Sequence, residues 1–440
     1  MNKKLHIDVI MLLVLLSYFI ILVDTSLVFT CSKEISTTFK MDTTTSAWIS
    51  NAYALTFGSL LLLGGKLGDT FDRKKVFIIG LIIFGLGSTL VGCAINTIML
   101  IASRAFQGIG AAIIAPGTLA IIMDNYSGKK RTRVISIYGA MSGIGVSLGL
   151  IIGAGITTIA SWRWGFLVNV PITIILIILS TKYLTLQKNN QESLDILGSI
   201  TSCLALLLII NGISGIGSQL ISLILGIIIL LFFIFHEQRI QQPILPFQIF
   251  QSASRTLAYI IRFTYSGAIT GFWFFTPLIL QSYFNFSPII VGLSFLPMTT
   301  VNFLSAASTD YLINRFGNKK LVILGLIITS IGFFGLAFFK YGSTYWTTIM
   351  FPMILIGLGQ GLLLSPITNL AIENIPNHLA GVGSSMINVM LQVGGAFGLA
   401  ILSLVSDPFT TQMFAFHIQA IGITLFSSIA LITSLLFRNK

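Results

Sequence analysis

Fourteen apolar runs, each long enough to cross a lipid bilayer, follow one another along this 440-residue chain. A helix needs about 20 mostly apolar residues to span the hydrocarbon layer. Backbone N–H and C=O groups in lipid must be satisfied within the segment, and a helix does this. The runs therefore predict an all-α integral membrane protein with fourteen spanning helices. The predicted spans cover residues 7–30, 47–65, 76–95, 98–122, 134–158, 164–184, 196–213, 219–235, 256–281, 289–311, 321–340, 345–371, 381–405 and 413–436.

Basic residues are concentrated in every second connection between the predicted spans, and this distribution tests the predicted number of spans. Charged residues make up only 9% of the chain, against about a quarter in soluble domains. If both termini are cytoplasmic, 19 of the 25 lysines and arginines lie in cytoplasmic loops or span ends, as the positive-inside rule requires. The net charge of +12 thus reflects membrane topology and does not indicate nucleic-acid binding. The six basic residues outside this pattern are Lys33, Lys40, Arg104, Arg163, Arg262 and Lys340.

Two polar linkers flank the seventh and eighth spans and leave six spans on each side. We predict an N-terminal six-helix bundle over residues 1–185 and a C-terminal six-helix bundle over residues 256–440. The linkers and an extra helix pair occupy residues 186–255 between them. The halves also share a motif, because the Pro-x-Thr at Pro116 recurs at Pro366. Internal repeats of this kind are typical of transporters that bind their substrate near the membrane midplane.

Asp24 is a carboxylate inside the first apolar run. An ionisable group at such depth costs on the order of 3 kcal/mol on insertion scales. A chain tolerates this group mainly where it faces the interior of a bundle or a water-filled cavity. We predict that Asp24 binds a proton and that the other helices build a cavity around it. The alternative is an acid that is paired only for stability.

Two further stretches contain sequence motifs, one in a loop and one in a predicted span. Residues 65–75 read Gly-Lys-Leu-Gly-Asp-Thr-Phe-Asp-Arg-Lys-Lys and form a short basic turn between the second and third spans. In the fourth span, Leu100, Arg104 and Gln107 precede a Gly-x-Gly sequence. Together these two stretches resemble the signatures of the major facilitator superfamily.

Other stretches narrow the resemblance to the proton-coupled drug exporters with fourteen spanning helices. They are Asp24-Thr-Ser-Leu-Val28, Trp48-x-x-x-x-Tyr53, Trp162-Arg-Trp-x-Phe-x-x-Asn169-Val-Pro171, and residues 383–398 with Asn388 and Gln392. The resemblance covers nearly the whole chain. It implies a major facilitator fold of two six-helix bundles with two extra central helices. Such a fold exposes a central cavity alternately to each side of the membrane.

In this family, proton coupling is tied to the acid of the first span and the arginine of the fourth, here Asp24 and Arg104. Each lies six residues inside the predicted outer end of its span, or about 9 Å below the boundary at 1.5 Å per residue. Charges at matched depth offset each other's desolvation, which favours an ion pair. A purely structural bond from Arg104 to backbone carbonyls is the alternative. Glu34 is either a second acid on the proton route or a solvated residue at the outer mouth.

The resemblance also implies a conformational gate. In the basic turn, Asp69 and Arg73 would pair and latch the two bundles on the cytoplasmic side, unless the turn serves topology alone. The fifth span carries glycines spaced by four, which permit close contact between helices and resemble the antiporter motif of the family. Leu150 stands where that motif has proline, and Asp72 stands where the basic turn usually has glycine. The gate residues are Gly65, Gly68, Asp69, Arg73, Gly149, Gly153 and, in the repeat-related turn, Asp310.

The predicted substrate wall combines aromatic rings with neutral hydrogen-bonding groups. Amides are unfavourable in lipid and are expected to face a cavity, whereas the aromatic residues could equally contact lipid or pack in the core. Aromatic faces beside one carboxylate suit amphipathic, often cationic, compounds. The substrate-binding candidates are Trp48, Tyr53, Gln107, Gln281, Asn302, Gln360, Asn369, Asn388 and Gln392.

These features predict a multi-pass exporter of drugs and other toxic compounds in the cytoplasmic membrane, with antibiotic resistance as its phenotype. It would use the proton-motive force, with no cofactor, no metal and no enzymatic step. No Gly-x-x-x-x-Gly-Lys-Ser/Thr loop for ATP occurs, and the three widely separated cysteines suggest neither a disulfide framework nor a zinc site. Its partners would be amphipathic small molecules, protons and the lipid bilayer. The alternatives are an exporter of an endogenous metabolite or siderophore, and a non-transporting membrane sensor on the same scaffold.

Overall fold

The structure, a computed structural model, describes residues 3–185, 195–214, 218–340, 342–373, 375, 380–406 and 412–437. Within these ranges some helical side chains, including those of Asp69 and Asp310, are not described. A 3-10 helix at Phe247–Phe250 and a π-helical turn at Trp346–Met350 accompany the α-helices. The α-helices are α1 (Lys3–Phe39), α2 (Thr43–Thr70), α3 (Arg73–Gly92), α4 (Thr97–Asn125), α5 (Gly128–Ile159), α6 (Trp162–Leu167), α7 (Asn169–Tyr183), α8 (Ile196–Ser214), α9 (Gln219–Arg239), α10 (Ala253–Ser282), α11 (Pro288–Ser294), α12 (Leu296–Phe316), α13 (Asn318–Leu336), α14 (Phe351–Ile372), α15 (Ala380–Ser406) and α16 (Gln412–Leu435).

Thirteen segments of the described chain are helical, long and apolar enough to cross a membrane. Two of them each combine two consecutive helices, α6 with α7 and α11 with α12. The remaining predicted span, 134–158, lies within the 32-residue helix α5. The predicted all-α membrane fold is confirmed, with thirteen of the fourteen predicted spans found among the described residues. The fourteenth span, over 134–158, stays a prediction.

Helix α1 is longer than predicted. The apolar run ends near residue 30, but the helix continues to Phe39 through a polar segment. Hydroxyl groups in this segment donate to carbonyls one turn earlier, as Ser32 does to Phe29 O and Thr37 to Glu34 O. These bonds satisfy the polar side chains within the helix itself. Asp24 therefore lies fifteen residues from the end of α1, and its predicted distance of six residues from the end was wrong.

Two predicted spans are broken into helix pairs. The span over 164–184 is interrupted at Val168, and the span over 289–311 is interrupted at Phe295. A proline follows each interruption, Pro171 in the first turn of α7 and Pro297 in the first turn of α12. Proline has no N–H and its ring clashes with the carbonyl four residues earlier, which favours a break in the helix at these two places.

Small residues set the close packing of the first half. Helix α4 crosses α2 at Gly108, where an added Cβ would lie 2.6 Å from Tyr53 O. Helix α3 meets α4 at Gly87, where an added Cβ would lie 2.7 Å from the Cα of Gln107. Since real Cβ atoms do not approach so closely, larger residues would force the helices apart. These crossings bring the polar residues of α3 and α4 next to α1.

The second half repeats this arrangement. Helix α14 crosses α12 at Gly361, where an added Cβ would lie 2.5 Å from Asn302 O. Helix α15 packs on α10 at Gly394, 2.8 Å from the Cα of Phe263, in the way that α5 packs on α1. Pro116 and Pro366 lie inside the equivalent helices α4 and α14. The internal repeat indicated by the Pro-x-Thr motifs is thus present in the helix packing.

By their internal contacts, the residues form two compact units. The first comprises Met1–Met41, Trp48–Leu207 and Ile228–Ile244, and the second comprises Asp42–Ala47, Leu208–Ile227 and Leu245–Lys440. Most of the predicted N-terminal bundle falls in the first unit, and the predicted C-terminal bundle falls in the second. The extra pair α8–α9 is divided, with its base in the first unit and its tip in the second. A separate middle segment over 186–255 stays a prediction.

Candidate functional site

Asp24 lies in the interior of the first unit. Its residue is 1% exposed, as is Arg104 of α4. The Arg104 Nη1 lies 2.6 Å from the Asp24 Oδ2. The contact between Asp24 and Arg104 that the sequence favoured is therefore present, whereas the depth of the pair in the membrane stays a prediction. The two residues form a buried ion pair.

Two amides complete the surroundings of the carboxylate. Gln107 Nε2 donates to Asp24 Oδ1 at 2.8 Å, and Asn169 Nδ2 donates to the same oxygen at 2.9 Å. Both amides also donate to Ser88 Oγ, at 2.7 and 3.3 Å. With the bond from Arg104, three donors point at the carboxylate of Asp24. Hydrogen bonds to an ionised group are shorter and stronger than those between neutral groups, so this carboxylate is firmly held by its neighbours.

Arg104 has further hydrogen-bond partners and two aromatic neighbours. Its Nε donates to Ile49 O at 3.0 Å, and its Nη1 also donates to Gln107 Oε1 at 2.6 Å. Its guanidinium lies 4.3 Å from the ring centre of Tyr53 and 5.4 Å from that of Phe166. Aromatic faces stabilise a desolvated cation. Both the backbone bond and the ion pair considered for Arg104 are therefore present together.

We call Asp24, Ser88, Arg104, Gln107 and Asn169 the Asp24 cluster. Its members come from α1, α3, α4 and α7. Through Ile49 O, the cluster also contacts α2. The carboxylate of Asp24 is bonded directly to residues of α4 and α7, and these residues are bonded in turn to α2 and α3.

The glycine face of α5 lies beside this cluster. A Cβ added at Gly149 would lie 2.7 Å from Val23 Cα, and one added at Gly153 would lie 3.0 Å from Leu27 Cα. The two glycines therefore bring α5 against α1 on both sides of Asp24. The predicted close helix contact is confirmed, while a role in gating stays a prediction.

Arg73 of the basic turn forms an ion pair that the sequence did not indicate. Arg73 Nη1 lies 2.6 Å from both carboxylate oxygens of Asp124, at the end of α4. Asp72 begins α3 as its N-cap and accepts from Lys75 N at 2.9 Å. This cap gives a physical reason for an aspartate in place of glycine. Beside the turn, Gly65 and Gly68 line a cleft with Arg73, and the side chain of Asp69 lies outside the described residues.

The aromatic and acidic candidates of the first unit have different surroundings. Tyr53 packs on Arg104, and Gln107 is fully buried in the Asp24 cluster. Trp48 is 7% exposed on α2, and its indole Nε1 is buried without a partner among the described residues. Glu34 lies ten residues beyond Asp24 on α1 and is half-buried. Their predicted roles remain predictions.

The candidate amides of the second unit lie on four helices. Gln281 is buried on α10, and Asn369 of α14 is exposed and donates to Asn318 Oδ1 at 3.2 Å. Gln360 of α14 is half-buried, and its Oε1 is buried without a partner among the described residues. The other three are Asn302, half-buried on α12, Asn388, exposed on α15, and Gln392, half-buried on α15.

Three residues of the site were not assigned from the sequence. Asn169 lies in the Trp-Arg-Trp motif and Ser88 in an apolar run, and neither carried a predicted role. Asn51 follows Trp48 by one helical turn, and both polar atoms of its side chain are buried without a partner among the described residues. A buried amide without a protein partner is unusual. The unfavourable placement of an amide in lipid was the only available signal for Asn51.

Removing the amide of Asn169 is expected to destabilise the protein. Asn169→Ala leaves Asp24 with two of its three donors. Because a hydrogen bond to a charged group contributes about 1.5–3 kcal/mol, the melting temperature of the variant should fall. The measurement is the melting temperature of the purified protein in detergent. Asn125→Ala, at the exposed end of α4, is the matched control. A melting temperature equal to that of the wild type would contradict a stabilising bond from Asn169 to Asp24.

Comparison with known proteins identifies the family. The profile of the Major Facilitator Superfamily matches residues 14–399. The chain belongs to this superfamily. As a superfamily member with many apolar spanning helices, it is a multi-pass protein of the cell membrane.

Relatives of this superfamily member include named resistance proteins. The puromycin resistance protein pur8 of Streptomyces alboniger is 30% identical over 419 residues, which cover 92% of this chain and 83% of the relative. The multidrug transporter protein MdtP of Bacillus subtilis is 30% identical over 370 residues, covering 82% of this chain and 68% of the relative. A crystallised mutant of the nucleoside transporter NupG has a TM-score of 0.70 and 11% identity, covering 99% of this chain and 100% of that one. At that identity the likeness shows the fold alone.

Proposed function

We propose that this superfamily member is a proton-coupled exporter of amphipathic, often cationic, toxic compounds, and that Asp24 carries the coupled proton. The observation that supports this most directly is the buried carboxylate of Asp24 with three donors, one of them the guanidinium of Arg104. The names of the relatives, which include resistance and multidrug transport proteins, support the class of substrate.

In the proposed mechanism, the Asp24 cluster holds the first unit in the conformation described here while Asp24 is ionised. When a proton binds Asp24, it removes the negative charge to which Arg104 and the two amides are hydrogen-bonded. Arg104 keeps Gln107 Oε1 and Ile49 O as acceptors, so its charge remains partly satisfied. The contacts between α1 and its neighbours weaken, and the equilibrium shifts toward the opposite-facing conformation. No covalent step is needed.

Buried polar atoms without protein partners support a substrate site. The amide of Asn51 and the Oε1 of Gln360 are such atoms. In the first unit, a compound with neutral polar groups would bond to the amide of Asn51, and the indole of Trp48 would contact its aromatic or cationic part. In the second unit, Gln360 and the predicted amides of α10, α12, α14 and α15 are proposed to bind substrate. In this proposal Gln107 and Tyr53 act on Asp24 and Arg104 rather than on substrate.

The gate is proposed to lie at the basic turn. Arg73 and Asp124 form an ion pair whose side chains are 25% and 21% exposed. Because exposed pairs contribute at most about 1 kcal/mol, this pair can open and close during transport. Gly65 and Gly68 leave space beside it, and Asp69 and Asp310 are proposed to take part.

The proposal is tested with purified protein in liposomes under an imposed pH gradient. A fluoroquinolone or a cationic dye is added, and internal pH and compound accumulation are followed together. We expect proton movement that depends on the compound and stops when an ionophore collapses the gradient. Liposomes without protein are the control. Transport of compound without proton movement would refute coupling, and the absence of transport for every compound would refute export of this substrate class.

A further inference from the structure

A second group of buried titratable residues lies at the base of the extra helix pair. Asp195 directly precedes α8, and His236 and Glu237 lie in the last turn of α9. Asp195 is 3% exposed and Glu237 is 2% exposed. All three belong to the first unit, and the mechanism proposed above uses none of them. By the predicted topology they lie at the cytoplasmic end of both helices.

One oxygen of Asp195 has two donors. Gly198 N donates to Asp195 Oδ1 at 2.8 Å, so Asp195 caps the start of α8. His236 Nε2 lies 2.9 Å from the same oxygen. Because a carboxylate oxygen can only accept, this Nε2 carries the hydrogen. The cap and the histidine fix the orientation of the carboxyl group.

The other oxygen of Asp195 faces Glu237. A Cβ added at Gly198 would lie 2.6 Å from Glu237 Oε1 and closer still to Asp195 Oδ2. Both oxygens therefore lie beside Gly198, and the side chains of Asp195 and Glu237 are hydrogen-bonded to each other. Asp195 Oδ2 accepts from no N–H or hydroxyl group among the described residues. Two ionised carboxylates side by side repel each other, whereas a shared proton turns the contact into a hydrogen bond. Glycine at position 198 leaves the space for this contact.

We propose that Asp195 and Glu237 bind one proton between them and form a second proton-binding site, separate from the Asp24 cluster. The three side chains are not arranged as a metal site. Of the basic side chains of α9 and α2, that of Arg239 lies over the ring of Phe235, and that of Lys66 donates to the carbonyls of Gln242 and Pro243.

The shared proton resides on Glu237. Burial alone favours the neutral acid at Asp195, but the Gly198 N–H and the side chains of His236 and Glu237 together hold the pKa of Asp195 below its ordinary value. Asp195 is therefore the acceptor and Glu237 the donor. The proton comes from solution on the predicted cytoplasmic side and returns there when the pH rises.

In this proposal, the hydrogen bond made by the shared proton connects the start of α8 to the end of α9. The folded pair holds a proton more tightly than either acid of the unfolded chain does. Stability falls with rising pH wherever the folded state binds more protons than the unfolded state. The contribution of the pair is therefore fully present at acidic pH and is lost as the pH rises through the titration of the folded pair.

The test is infrared difference spectroscopy of the full chain in lipid, titrated from about pH 6 to about pH 9. We expect a protonated-carboxyl band in the wild-type protein that disappears at high pH. Glu237→Gln replaces the shared proton with an amide donor, so the band is lost and the pH dependence of the melting temperature flattens. Glu373→Gln, an exposed glutamate at the end of α14, is the matched control and keeps both.

We expect the band to persist in Asp24→Asn. This result would distinguish the second site from the Asp24 cluster, and it does not depend on whether the variant transports any compound. A band that is unchanged in Glu237→Gln would overturn the proposal. If that variant does not fold, Asp195→Asn provides the same test, because its amide donates to Glu237 without a proton. A wild-type protein with no titrating protonated carboxyl in this range also overturns the proposal.

Discussion

Asp24→Asn is expected to reduce compound-dependent proton movement to the level of liposomes without protein. The asparagine has nearly the same shape as aspartate, and its carbonyl oxygen still accepts from the donors on one side, although its amide nitrogen cannot accept on the other. It cannot bind and release a proton, so the proposed switch between conformations loses its driving step. The measurement is internal pH in liposomes under an imposed gradient, with the protein content of each preparation matched by fluorescence or immunoblot.

Two control variants sharpen this experiment. Asp42→Asn changes an exposed aspartate at the start of α2, and it should keep the coupled flux. Glu34→Gln tests the other candidate acid on α1 and should also keep it. Equal flux in the wild type and in Asp24→Asn would contradict the proposal, and loss of flux in Glu34→Gln alone would move the coupling site to Glu34.

Arg104→Gln is expected to destabilise the protein strongly at a pH where Asp24 is ionised. The variant leaves a buried carboxylate without its counter-charge, and removal of one partner of a buried ion pair costs about 3–5 kcal/mol. The double variant Asp24→Asn/Arg104→Gln has neither charge and should be more stable than Arg104→Gln alone. The measurement is the melting temperature of all four proteins in the same detergent at pH about 8, well above the usual titration range of an aspartate.

Additive effects of the two substitutions on stability would contradict this prediction. Residues in contact within one network show interaction energies of about 0.5–3 kcal/mol in double-mutant cycles. If the two substitutions destabilise independently, the contact at 2.6 Å does not contribute to stability as an ion pair. A matched cycle on the exposed pair Arg73 and Asp124 should show a coupling below about 1 kcal/mol.

The candidate site was only partly predictable from the sequence. The pairing of Asp24 with Arg104 followed from the depth of each charge in its apolar run and from the family resemblance. Asn169 was visible in a motif, but nothing in the sequence showed that its amide reaches a carboxylate 145 residues earlier in the chain. Gln107 was assigned to substrate because an amide in a membrane helix must face something polar. Only the structure shows that this polar group is Asp24.

The sequence by itself determined the membrane class, the position of most spans and the internal repeat. Transfer of side chains into lipid depends on the composition of each run, and this is a local property. The length of α1, the helix breaks at Val168 and Phe295, and the partners of Asp24, Arg73 and Asp195 were decided by the tertiary structure. Each of these partners depends on how far a helix is rotated about its axis and how closely glycines allow its neighbour to approach. Neither quantity is a property of one segment alone.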